Sequence, residues 1–390
     1  MIPSRMDPLE MRALVAGRRA TYLQDLQALV ECESPSSDIA RVERCLDWAE
    51  RRLVSGGWTA EREAIAGSAG VLVVRAGRWL AGPSTLLLAH VDTVWPVGTI
   101  DSMPFRVDDG RVFGPGVYDM KAGVVAAIHA LAVAHETVGL GGPITVLANG
   151  DEETGSVASR PIIEREAGRH DRVFVLEPAT QSGAIVAARK GAGDFEVHLH
   201  GRRAHSGEAF DDGVNALSAL ADLIGFVDGL TDRALGTTVA VTVARGGTVS
   251  NVIPGEAYAA IDLRIERPEE GERVIQALEG YAPKDRRVRL SLRGGLKRPP
   301  MRLEGASQSM VEHVVELASR MGLRLEVGRS GGGSDANFCA ALGAPTVDGL
   351  GAVGAGAHAP DEHIDIAASL DRVALLAALL VGRHDTTETA

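Results

Sequence analysis

The chain has 390 residues, enough for two or three domains at about 150 residues each, and its 40 Lys and Arg against 52 Asp and Glu leave a formal charge of −12. That acidic balance argues against a nucleic-acid partner, because phosphate binding needs a basic face. With 45% hydrophobic and 24% charged residues the composition is that of a globular protein, and with 4% aromatics the core has to be built from Ala, Val, Leu and Ile.

The first residues, through Pro3, Asp7, Pro8 and Glu10, hold no apolar core of a secretory signal, so the expected location is the cytoplasm; a removed leader would be invisible here. Apolar spacing predicts helices across 14–53, interrupted at Ser34-Pro35-Ser36. Short apolar runs at 71–74, 85–89, 144–148 and 173–176, bounded by Gly or Pro, read as buried strands, with a helix over 120–135 between them. Strands alternating with helices predict an α/β domain whose mixed sheet is largely parallel. From 191 to 293 the order is β-α-β-β-α-β: strands at 194–200, 237–245, 256–265 and 287–292, helices at 212–229 and 269–280. Gly191-Ala192-Gly193 before this unit, and Gly294-Gly295 with Pro299-Pro300 after it, read as linker punctuation. A helix at 307–321 and a Gly-rich stretch then resume the first style. The expected organisation is a discontinuous catalytic domain, 1–190 and 300–390, interrupted by an inserted domain, 191–299.

The longest apolar run, 373–381, is far short of the ~18 residues that span a bilayer, so no membrane partner is expected. Cys32, Cys45 and Cys339 are odd in number and far apart in sequence, and neither a disulfide framework nor a CxxC clip can be read from them.

Five motifs carry chemistry. His90 and Asp92 follow the strand at 85–89; residues two apart on an extended segment point to one side, so they could meet one metal ion, or Asp92 could hydrogen-bond His90. Asp119 lies between the Gly114-Pro115-Gly116 turn and the next helix, placed either to cap that helix or to bridge two cations with its two oxygens. Asp151-Glu152-Glu153 are adjacent acids at a strand end, which repel one another unless a cation compensates. Neighbouring side chains diverge, so Glu152 and Glu153 would do different jobs. Glu177 follows another buried strand, and His358 lies in a Gly-rich loop without a core to satisfy. Two histidines and several carboxylates without thiolate suit Zn²⁺, and in pairs build a two-metal hydrolytic site.

In this order, HVDTV (90–94), GPGVYDMKAG (114–123), NGDEETGS (149–156), LEP (176–178), RRAHSG (202–207), SNVIP (250–254), DLR (262–264), GGGSDA (331–336) and a late His resemble the co-catalytic di-zinc carboxypeptidases and N-acyl-amino-acid deacylases. That family includes glutamate carboxypeptidase, acetylornithine deacetylase, succinyl-diaminopimelate desuccinylase and the aminoacylases. The glutamate carboxypeptidase branch is the most similar. The resemblance implies two Zn²⁺ per subunit, with Co²⁺ or Mn²⁺ as substitutes. His90 and Glu177 would hold one ion, Glu153 and His358 the other, and Asp119 would bridge them. Glu152 would be the general base, and Asp92 would orient His90. The inserted domain would be a lid and a homodimer contact, with His205 reaching the partner subunit's site to stabilise the oxyanion. Asn251 and Arg264 would hold the substrate carboxylate, with Gly332 and Gly333 of the Gly331-Gly332-Gly333 run letting backbone N–H groups approach it.

The expected activity is hydrolysis of an amide next to a free carboxylate in a small peptide or N-acyl amino acid. The favoured form is a carboxypeptidase releasing a C-terminal residue, glutamate among them, with Arg298 as a candidate for an acidic side chain. Glutamate-preferring relatives also use a Lys on the strand near position 184, where this chain is small and apolar (184–188). The alternatives are an N-acyl-amino-acid deacylase and a catalytically silent metal- or peptide-binding relative.

Overall fold

The computed structural model describes residues 6–381. The described residues divide into two compact units: Arg189–Arg302 with Gly331–Gly333 form one, and 6–188, Leu303–Ser330 and 334–381 form the other.

The larger unit is built on a six-stranded sheet whose order is Thr59–Glu63, Val71–Ala76, Ile144–Asn149, Thr85–His90, Arg172–Val175 and Thr346–Val347. The first two pairings are antiparallel and the remaining three parallel. The sheet is therefore mixed and largely parallel. Every residue of Thr85–His90 and Ile144–Asn149 is buried, the pattern of strands covered on both faces. Helix Ala122–Thr137 packs on this sheet and helix Ile366–Val381 packs on that helix, closing a core of Leu87, Val146, Phe174, Leu131 and Leu376. The aliphatic core expected from the composition is thus realised. Three helices precede the sheet, Pro8–Gly17, Arg19–Glu31 and Ile39–Val54. The gap at Ser34-Pro35-Ser36 is where Pro35 bridges to Thr93 and the Thr93 N–H donates to the Ser34 carbonyl at 2.9 Å.

A four-stranded sheet that periodicity did not reveal joins Gly354–Ala355, His363–Asp365, Arg111–Phe113 and Arg106–Asp108. Its strands have two or three residues, too few to show alternation. The segment Val117–Thr137, longer than the 373–381 run, is apolar enough to cross a membrane by composition, with mean hydropathy 1.4, and is 89% buried within the fold as a core helix is.

The smaller unit is a four-stranded antiparallel sheet in the order Thr238–Gly246, Glu256–Ile265, Gly191–His200 and Arg289–Arg298, with helices Ala216–Asp228 and Pro268–Glu279. Phe195, Leu199, Leu220, Leu223, Leu263 and Val274 form its own core. The glycines read as linkers are strand residues. Gly193 and Gly294-Gly295 lie in adjacent strands so closely packed that a Cβ on Gly294 would sit 2.1 Å from the Asp194 carbonyl oxygen, and one on Gly193 2.8 Å from that of Gly295. Glycine here marks close backbone approach, not a hinge. The cysteine reading also changes: Cys32 and Cys45, 13 positions apart, meet with their sulfurs 2.6 Å apart.

Candidate metal centre

Parallel strands place their C-terminal ends on one edge, and three of the five motifs leave the sheet there. His90 ends Thr85–His90, the acidic turn follows Ile144–Asn149, and Glu177 lies two residues beyond Arg172–Val175. Asp119 comes from the turn before Ala122–Thr137. It does not cap that helix: Lys121 holds the N-cap position, no side chain caps the first turn, and the Asp119 carboxylate faces two imidazoles. His358, at φ +62°, comes from the loop after Gly354–Ala355.

Two groups of three result. The His90 Nε2 lies 3.3 Å from Asp119 Oδ1 and 3.8 Å from Glu177 Oε1. The His358 Nε2 lies 3.4 Å from Asp119 Oδ2 and 3.3 Å from Glu153 Oε2. Within each group the donor atoms all lie within 4.8 Å of one another, and Asp119 belongs to both. Two observations test whether these residues fit metal ions. His90 Nε2 and Glu153 Oε1 are buried without a hydrogen-bond partner, a costly state for polar atoms unless a cation uses them. The donor set of imidazole and carboxylate also suits Zn²⁺. The field of the site is that of a cation binder. Hydrogen bonds to Asp119 and Glu153 push the His358 pKa up to about 10. Burial works against a charged His90, yet Asp119, Asp92 and Glu177 hold its pKa well above the ordinary value. Burial likewise opposes a charged Asp119, but His358 and His90 hold its carboxyl below the usual range.

A layer of buried groups fixes these ligands. The Asp92 carboxylate, 0% exposed, accepts the Glu152 and Glu153 N–H groups at 3.2 Å each and the Ser36 hydroxyl at 2.7 Å, while its carbonyl oxygen lies 3.0 Å from His90 Nδ1. Asp92 therefore lies outside both ligand groups and ties the acidic turn to His90. The three adjacent acids separate as their diverging side chains require. Asp151 accepts the Ala158 and Ser159 N–H groups at 2.9 and 3.2 Å, and burial raises its pKa. Glu153 joins a ligand group, and Glu152 stands beside it in neither. Asp335 of the GGGSDA motif accepts from Asn149 at 2.8 Å and from the Ser156 hydroxyl, anchoring the same turn from below. Gly123 of GPGVYDMKAG is needed for packing: a Cβ there would sit 2.2 Å from the Leu176 carbonyl oxygen, next to Glu177.

Sequence reasoning missed Glu362. Its carboxylate is 0% exposed and accepts four hydrogen bonds, from Trp95 Nε1 at 2.7 Å and from the backbone of Gly116, Tyr118 and Asp119 at 2.9, 2.9 and 3.1 Å. It clamps the turn that presents Asp119. An acid beside Asp361 in the loop after His358 carries no local sign of partners some 245 positions away; only their shared sheet brings them together.

In the smaller unit, Ala204–His205 pairs with Val252–Ile253, and the Ser206 N–H donates to the Asn251 carbonyl at 3.0 Å, so His205 and Asn251 are neighbours. His205 Nδ1 accepts the Gly207 and Glu208 N–H groups at 3.2 and 3.1 Å, which places the proton of the neutral ring on Nε2. Arg264 is held bidentately by Asp262 at 2.9 and 3.0 Å. Arg298, 6% exposed, ends the edge strand, and the Gly332 carbonyl accepts from Arg189 at 3.3 Å; Gly333 lies beside it.

Two ligand groups sharing a carboxylate at the C-terminal edge of a largely parallel sheet are the arrangement of a candidate two-metal site. The sequence model of Peptidase family M20/M25/M40 matches residues 86–381, and the chain belongs to that family. It is 32% identical over 368 residues to carboxypeptidase G2 of Pseudomonas sp. (strain RS-16), covering 92% of this chain and 88% of that protein. It is 30% identical over 251 residues to acetylornithine deacetylase of Myxococcus xanthus, covering 60% and 64%. Among solved structures, the aminopeptidase PepT of Bacillus cereus ATCC 10987 superposes with a TM-score of 0.81 at 22% identity, covering 93% of this chain and 98% of that one.

Proposed function

We propose that this M20 metallopeptidase is a di-zinc carboxypeptidase that releases a C-terminal amino acid from short peptides or N-acyl and N-aroyl conjugates, with Co²⁺ or Mn²⁺ able to replace zinc. The observation that carries this reading is the pair of three-residue groups sharing Asp119, with Glu152 beside Glu153 but outside both. His90, Asp119 and Glu177 would hold one ion and Asp119, Glu153 and His358 the other. Once bound, the two ions would polarise the scissile carbonyl and supply an acidic water. Glu152 would be the general base, accepting a proton at its carboxylate and returning it to the leaving amine as the amide bond breaks. Asp92 keeps the Glu152 and Glu153 backbone and the His90 ring in place throughout.

The smaller unit supplies substrate recognition as a lid and as the contact of a homodimer. His205, with its proton on Nε2, is the donor for the oxyanion in the partner subunit's site. Asn251 and Arg264 hold the terminal carboxylate, Arg264 by exchanging Asp262 for it, with the Gly332–Gly333 backbone alongside. Arg298 is assigned to an acidic substrate side chain.

Activity on aroyl-glutamates and dipeptides, compared with N-acetyl amino acids, tests the reading. The carboxypeptidase assignment expects the first group to be turned over faster. Faster turnover of N-acetyl amino acids would establish the deacylase instead, a reading supported by the likeness to acetylornithine deacetylase. Glu152→Ala is expected to keep its metal and lose ~10²-fold or more in kcat. Full activity in that variant would remove Glu152 from the mechanism, and no turnover of any substrate by the wild-type chain would favour a silent binding protein.

A further inference from the structure

We propose that Cys32 and Cys45 form a peroxide-oxidisable dithiol, a modification site that closes to an intramolecular disulfide between the end of helix Arg19–Glu31 and helix Ile39–Val54. The inference is independent of the hydrolase reading. The two sulfurs are in direct contact, 2.6 Å apart. Both residues are free cysteines, Cys32 partly exposed and Cys45 buried. The Cys45 sulfur also lies 2.8 Å from the Cys32 carbonyl oxygen, so the Cys32 backbone, not only its side chain, is turned toward Cys45.

The pair is held by the fold. Cys45 belongs to the main core and Cys32 packs against it. The Lys121 ammonium, itself buried, donates to the Cys32 carbonyl at 2.8 Å, fastening the pair to the segment that carries Asp119. Two thiols held in contact react as an intramolecular pair, without the entropy cost of an encounter. The thiolate needed for the first step is at hand. The hydrogen bond between the two thiols lowers Cys45, with the Lys121 charge nearby and against burial, and raises Cys32, so the thiolate of the pair is on Cys45 and peroxide has to reach it past the partly exposed Cys32.

The oxidant is a peroxide, reaching the pair from the exposed side of Cys32. One sulfur takes an oxygen from hydrogen peroxide as the O–O bond breaks, giving a sulfenic acid and one water. The other sulfur attacks it, the S–S bond forms, and hydroxide leaves with the second thiol proton as another water. The sulfurs lose two electrons and the peroxide gains them. Cys339 is an internal control: it is buried in helix Ala336–Ala341 and burial raises its thiol, which keeps it unreactive.

The test is a thiol count under denaturing conditions and peptide mass spectrometry on the reduced full chain after graded hydrogen peroxide. The free thiols are expected to fall from three to one, with a Cys32–Cys45 cross-linked peptide two hydrogens lighter, at doses that leave Cys339 intact. C32S and C45S are each expected to lose this cross-link while remaining folded by circular dichroism. Retention of three thiols at doses that oxidise free glutathione would overturn the proposal. So would sulfinic acid on either residue without a cross-link, or a disulfide that includes Cys339.

Discussion

Glu362→Gln separates the clamp on the Asp119 turn from the metal ligands themselves. Each Glu362 oxygen accepts two N–H groups: Oε1 those of Tyr118 and Asp119, Oε2 those of Trp95 and Gly116. The glutamine amide has one oxygen, so its NH₂ must face two donors and two buried hydrogen bonds are lost. At about 1–3 kcal/mol for each buried group left without a partner, the loss lies between about 2 and 6 kcal/mol. Burial raises the Glu362 pKa despite the four donors, so a neutral amide recovers part of the desolvation cost. The expected destabilisation is therefore in the lower half of that range, about 2–4 kcal/mol. Urea unfolding of the metal-free chain reads this directly, and zinc content after dialysis reads whether the released turn still presents Asp119. Lower stability together with lost zinc is the expected result. A variant with wild-type midpoint and full zinc content would refute the clamp.

Gly123→Ala is expected to push helix Ala122–Thr137 away from the Leu176 carbonyl and to weaken zinc binding through Glu177, read by competition with a chromogenic chelator. Unchanged affinity would mean that the helix shifts without moving the site. Glu166, 0% exposed, is expected to make the larger unit acid-labile. Burial opposes its charge, but a bidentate Arg75 contact at 2.9 and 3.1 Å holds its pKa below the ordinary 4.5. The folded pKa is the lower one, so this stabilisation is complete above about 4.5 and disappears as pH falls through the folded value. Unfolding midpoints measured down through this range should fall more steeply for the wild type than for Glu166→Gln, and parallel slopes would contradict the assignment. Mixing the singly inactive His205→Ala and Glu152→Ala subunits is expected to restore part of the activity, because one hybrid site then has both residues. No rescue would count against a site completed by the partner subunit.

The clustering of the candidate ligands in the larger unit was legible because it depends on local pattern. A buried apolar run followed by a polar ligand marks a strand end, and parallel strands bring such ends together, so His90, the acidic turn and Glu177 were placed by sequence alone. Asp119 was ambiguous because a carboxylate before a helix serves equally well as a cap; the structure puts Lys121, not Asp119, at the cap position and leaves the first turn without a side-chain cap. What stayed hidden depends on distant contacts. Glu362 and the Asp119 turn meet through two-residue and three-residue strands, and Cys32 meets Cys45 because the Ser34-Pro35-Ser36 break folds one helix onto the next. Gly193 and Gly294 misled for the opposite reason. Glycine signals a linker or a tight backbone contact equally, and here two edge-to-edge strands require the contact.

The central claim is that one chain holds two metal ions around Asp119. Crystals of the zinc-loaded protein, with anomalous diffraction recorded on both sides of the zinc absorption edge, test it most directly. The account expects two anomalous peaks per chain, one among His90, Asp119 and Glu177 and one among Asp119, Glu153 and His358. A single peak, or peaks away from Asp119, would contradict it.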